Sequence, residues 1–95
     1  MDEIRIEFVF KYHAAKSQKD FAVKVSVLER LVSHEEAMVM FLNDKLTKEI
    51  TWENSQSGQE IEGKPFAVNA YRQCEAETVE IEAPACVKSL LKESQ

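Results

Sequence analysis

Residues 4–13 alternate without a break, with Ile4, Ile6, Phe8, Phe10 and Tyr12 on one side and Arg5, Glu7, Val9, Lys11 and His13 on the other. A period of two with aromatic and β-branched content predicts a strand. After a polar connection from Ala14 to Asp20 the alternation returns at Phe21, Val23, Val25 and Val27, so the first two strands are expected to form a hairpin. Ser33-His34-Glu35-Glu36 has the layout of a capping box, in which the Ser33 hydroxyl takes one unpaired amide and Glu36 reaches back to another. Ala37, Met38, Phe41, Leu42 and Leu46 then follow a helical period, which predicts a helix ending near Lys48.

Beyond it, Ile50 and Trp52 alternate with Glu49, Thr51 and Glu53, the pattern of a short third strand. Asn54-Ser55-Gln56-Ser57-Gly58 reads as a turn, and a fourth strand is expected from about Glu60. Gly63-Lys64-Pro65 interrupts that strand, because proline cannot donate to a central ladder. Phe66 to Arg72 is compatible with a strand or with a helix begun at Pro65, and its Phe, Val and Tyr favour the strand. Val79, Ile81 and Ala83 alternate across a further strand. Pro84 suits the first turn of a closing helix with Val87, Leu90 and Leu91 as its apolar stripe. The expected order is β-β-α-β-β-β-α, an α+β domain with an antiparallel sheet and helices packed on one face.

Composition narrows the function more than the fold. The chain has 95 residues, 44% hydrophobic and 31% charged, which is ordinary for one small soluble domain. Its apolar stretches are too short to span a bilayer. Met1-Asp2-Glu3 lacks the basic-then-apolar layout of a signal peptide, so a cytoplasmic location is expected. Cys74 and Cys86 match no zinc spacing and are expected to be reduced thiols. Both glycines are isolated, which leaves no phosphate-binding loop, and no nucleophile elbow or metal-ligand cluster stands in the chain. Neither a metal nor a cofactor is expected.

The formal net charge of −5 is concentrated in one stretch. Glu49, Glu53, Glu60, Glu62, Glu75, Glu77, Glu80 and Glu82 stand against only Lys64 and Arg72. If Ile50, Trp52, Ile61, Val79 and Ile81 all face the core, six of these glutamates share the outward face of a three-strand meander. Glu75 and Glu77 then lie in the adjoining loop. Residues i and i+2 on a strand are about 6.5 Å apart, and opposed like charges cost stability. An uncompensated array therefore points to a cationic partner. The bland alternative is a solvated face laced by weak pairs with Arg5, Lys11 and Lys24, which occupy outward positions on the first two strands.

The acidic balance argues against direct contact with nucleic acid or an anionic membrane and leaves basic proteins as partners. The leading expectation is a non-enzymatic protein-binding module, an inhibitor or modulator of the phage, mobile-element or immunity-protein type. Its glutamates would occlude a basic partner, one that itself handles nucleic acid being a natural target. The alternative is a structural protein that forms homodimers or larger assemblies through a sheet edge, with the long apolar first strand doing the pairing. An enzyme built on Cys86 with His13 or His34 ranks last, because residue type alone suggests it.

Overall fold

The computed structural model describes residues 3–13, 20–58, 61 and 63–92. Its strands are β1 (Arg5–Tyr12), β2 (Phe21–Leu28), β3 (Ala67–Cys74) and β4 (Glu77–Ile81), joined in one antiparallel sheet of order β2-β1-β3-β4. A 3-10 turn over Glu29–Ser33 leads from β2 into a long helix, α1 (Glu35–Ser57). A single helical turn, α2 (Ala85–Lys88), follows β4. The fold is α+β with an antiparallel sheet, and the order departs from expectation in its middle and at its end.

The alternation in β1 sets the layers. Phe8 lies opposite Val25 of β2 and Ala70 of β3, and Phe10 lies opposite Val23 and Val68. Ile6, Phe8, Phe10 and Tyr12 are all at most 2% exposed. They meet Met38, Leu42, Leu46 and Ile50 of α1, with Ala83 before α2 and Val87 within it completing the same core. Fully burying each large apolar side chain is worth about 1.5–3 kcal/mol, so this row dominates the favourable side of folding. The opposite face of the sheet is open, and Arg5, Lys11 and Lys24 are exposed on it as the parity predicts.

The third strand expected at 49–53 does not form, because α1 continues through it to Ser57. Ile50 sits four residues after Leu46 and prolongs the stripe from Met38, whereas residues two apart on a helix diverge by about 200°. Ile50 is therefore buried, and Trp52 is 59% exposed. The expected turn at 54–58 is the end of this helix. Gly58 closes it at φ 70°, a left-handed conformation that glycine adopts without penalty, and its N–H donates to the Asn54 carbonyl at 3.1 Å. The Asn54 side chain then accepts from the Ile61 N–H at 3.1 Å and steers the returning chain.

Other boundaries shift as well. Of the strand expected from Glu60, only Ile61 is described, as an isolated bridge, while Glu60 and Glu62 lie outside the described residues. The capping box is not formed: His34 precedes the helix, and the Ser33 hydroxyl donates back to the Arg30 carbonyl at 3.0 Å. Phe66 to Cys74 is resolved in favour of strand, since β3 pairs with β1 along its length. The closing helix is one turn only, after Pro84. Most of the connection between β1 and β2 lies outside the described residues. Because β1 is paired on both sides, it cannot be the exposed edge of the assembly reading. The sheet edges are β2 and β4.

Two outcomes test this packing. Ile50→Ala should cost about 2–5 kcal/mol in urea unfolding, and Trp52→Ala should stay within about 0.5 kcal/mol. A strand at 49–53 would make the two losses similar. Tyr12 is fully buried, and its hydroxyl has no hydrogen-bond partner among the described residues. Burial disfavours the phenolate and pushes the phenol up to about 12 from 10.0. The folded state thus holds the proton more tightly than the unfolded chain. Its contribution to stability is complete below about pH 10 and lost as pH rises from about 10 to about 12. The difference in unfolding free energy between wild type and Tyr12→Phe should therefore be flat below that window and shift in favour of the variant within it.

Candidate functional site

Glu49 and Glu53 do not share a sheet face with Glu80 and Glu82, and Glu60 and Glu62 lie outside the described residues. Glu49 and Glu53 ride on α1, Glu75 sits in the β3–β4 turn, and Glu77 opens β4. Glu80 lies on the open face opposite Tyr71 and accepts from the Asn69 amide at 3.4 Å. Glu82, just past the strand, accepts from the Lys88 ammonium at 2.9 Å. That hydrogen bond and the ammonium charge hold its carboxyl below the usual range. The six-carboxylate meander fails because it required a strand at 49–53, where α1 runs instead. What survives is a looser acidic border along the exposed edge strand β4, formed by Glu75, Glu77 and Glu80.

The opposite edge carries a groove of about 470 Å³ that wraps the end of β2. Leu28 ends the strand, and the tight 3-10 turn behind it swings Arg30, Leu31 and His34 round to meet the first turns of α1. Phe41 of α1 forms the far wall, and Arg5 and Ser26 close the groove from the open face. Its lining among the described residues is two arginines, a histidine, a serine and four apolar side chains, with no carboxylate. In a chain of net charge −5 that is the informative feature.

Of the acids nearby, Glu7 lies opposite Ser26 on the open face and Glu35 follows His34, while Glu29 and Glu3 have cationic partners. The Glu29 carboxylate accepts from Arg72 Nε at 2.7 Å, which ties the 3-10 turn to β3 and makes the guanidinium hold its proton more tightly still. Arg72 also donates to Cys74 Sγ at 3.0 Å. Arg30 lies 3.9 Å from Glu3, but both side chains are mostly exposed, and such pairs are worth little.

Phe41 links the groove to a longer surface. Phe41, Lys45, Lys48 and Trp52 follow at spacings of four, three and four, so they share one flank of α1. Phe41 remains 38% exposed, with the Lys45 ammonium 5.7 Å from its ring centroid, a weak cation–π contact. Trp52 lies three turns further along, about 16 Å at 1.5 Å per residue. Beside Phe41, β2 presents an edge with no strand next to it among the described residues, and its outward N–H and C=O groups are a template for another strand.

Sequence reasoning named Arg5 only as an outward base and left Leu28 to Val32 unassigned. The signal was the pairing of Arg30 with Leu28 and Leu31 directly after a strand, but only the 3-10 turn brings them to Phe41. The remaining candidates stay apart. His13 lies 3.5 Å from Asp20 and stacks on Phe66 at 4.0 Å between centroids, while Cys86 is half-buried against the core. Both cysteines are free thiols. Among the described residues no helix is long and apolar enough to cross a membrane. Compared with protein-family models, curated proteins and solved structures, the chain matches none.

Proposed function

We propose that this chain is a non-enzymatic protein-binding module that modulates its partner by occlusion, docking an acidic, extended segment on the β2 edge. The observation that carries this reading is the groove of Arg5, Arg30, His34 and Phe41, which is cationic and apolar at once. A segment pairing with β2 satisfies its backbone through the strand edge, with side chains on alternate positions free to select. One apolar side chain of the segment enters beside Leu28, Leu31 and Phe41, and a neighbouring carboxylate meets Arg5 or Arg30. Trp52 adds a second anchor, since tryptophan and arginine dominate the energetics of interfaces. The inhibitor role follows if the captured segment is one the partner needs elsewhere.

A second reading keeps the opposite sign of partner. The edge strand β4 is exposed along most of its length and carries Glu75, Glu77 and Glu80 at one border. A basic, nucleic-acid-handling protein would be held there instead.

Charge reversal separates the two. Partners captured from the source cell by the wild-type chain should be lost by Arg5→Glu/Arg30→Glu and retained by Glu75→Lys/Glu77→Lys/Glu80→Lys. The loss of affinity should be roughly tenfold or more, as for truncation of a charged hydrogen bond. Capture should weaken as salt shortens the screening length below about 8 Å. The reverse pattern of loss assigns the partner to β4. Unaltered capture by both variants defeats both readings.

A further inference from the structure

We propose that the β2 edge takes a second copy of this chain, docked head to tail through that copy's own β4. The proposal rests on the reading of the edge as a dock for an acidic, extended segment, and it names a source for the segment. The two edges of the sheet run in opposite directions, because every neighbouring pair in the order β2-β1-β3-β4 is antiparallel. A copy set alongside without turning its sheet over therefore presents β4 antiparallel to β2, with both α1 layers on the same side. The ladder continues across the junction as it runs inside each copy.

The two edges also differ in charge. β2 carries Lys24 and no acid, with Arg5 opposite its last residue and Arg30 just past it. β4 reads Glu77-Thr78-Val79-Glu80-Ile81, with Glu75 in the turn before it. Keeping both buried faces on one side allows only alternate registers, since a slip of one residue turns a strand over. One of these sets Glu80 opposite Lys24, Thr78 opposite Ser26 and Val79 opposite Val25, and brings Glu75 level with the Leu28 end of the groove. A carboxylate facing an ammonium and a hydroxyl facing a hydroxyl are both favourable cross-strand pairs. Moving two residues one way sets Glu77 against Glu29, and two residues the other way leaves Glu80 against Ala22.

Val79 gives the junction an apolar component. It lies opposite Arg72, which lies opposite the buried Ile6, so it is on the α1 side of the sheet, yet it is 44% exposed. Pairing covers it against β2 of the neighbouring copy, on the side where Phe41 of that copy is exposed. Like edges suit each other less: β4 against β4 gathers Glu77 and Glu80 of both copies, and β2 against β2 gathers their cations. Charge on an edge repels most strands and admits the one of opposite sign. A head-to-tail junction leaves one β2 edge and one β4 edge free on each pair, so growth continues to a filament or closes in a ring larger than a dimer. Every copy except one at a filament end then has its β2 groove occluded by its own kind.

Sedimentation velocity of the full chain across a concentration series tests the junction. A five-residue strand makes a small, transient interface, so Kd should be on the order of 100 μM and the mean mass should pass that of a dimer by about 1 mM. Lys24→Glu and Glu80→Lys change exposed positions, so each should keep the wild-type circular dichroism spectrum and weaken association roughly tenfold. Lys24→Glu/Glu80→Lys restores opposite charges with the signs exchanged and should recover it. A chain that stays monomeric at about 1 mM, or a mass that levels off at two copies, overturns the proposal. So does a single reversal that changes nothing, or a double variant no better than the singles. A monomeric chain that still captures partners through Arg5 and Arg30 overturns this inference alone and assigns the groove to a foreign strand. Failure of both takes the reading of the β2 edge with it.

Discussion

Everything in this molecule hangs on the pairing of β1 on both of its sides. Its inward row, Ile6, Phe8, Phe10 and Tyr12, is at most 2% exposed, and each residue faces a partner across β2, β3 or both. A strand with one apolar face has to be covered, and its register is fixed because a slip of one residue would turn Phe8 and Phe10 to water. With β1 central, β2 and β3 have no choice of position. The only remaining variables are what caps the inward row and what lies at the two open edges.

Both are settled by short-range chemistry. Met38, Leu42, Leu46 and Ile50 repeat every four residues, a narrow stripe that drifts round the helix by about 40° each step, since four residues turn about 400°. A stripe that narrow buries only one side of α1, which is why Phe41 and Trp52 are left exposed. At the other end of the sheet, β4 is a five-residue edge strand whose pairing stops at Ile81, and acids border it. Charged, short edge strands resist unwanted pairing. The longer edge, β2, has eight residues and no carboxylate on its own strand, so it is the less protected of the two.

The hairpin of β1 and β2 was legible because ten residues of unbroken alternation have no helical interpretation. The strand identity of Phe66–Cys74 was legible for the weaker reason that its residue types suit a pleated surface. The segment from Glu49 to Ser57 was not. Ile50 and Trp52 satisfy a period of two over five residues, and the same Ile50 satisfies a period of four from Leu46. Only the longer ladder back to Met38 distinguishes them, and a Ser- and Asn-rich tail before Gly58 looks like a turn when it is a helix end. That single misassignment carried Glu49 and Glu53 to the wrong face and dissolved the acidic array. The groove was beyond reach of pattern altogether, because it depends on a 3-10 turn that brings Arg30 and His34 against Phe41.

The charge of the β2 side also bears on self-association. A symmetric dimer formed by pairing β2 with its own copy would continue the sheet and cover Phe41, which favours it on area. The same two-fold operation brings Lys24, Arg30 and Lys45 of both copies to one interface, where a cation close to the axis meets its like. At an effective dielectric near 20, two like charges 4 Å apart cost about 4 kcal/mol, so a few such contacts cancel the gain from burying one aromatic pair. An acidic segment meets the same edge, the same anchors and the opposite sign of charge. The apolar surface therefore selects a strand-like partner, and the cations select which strand.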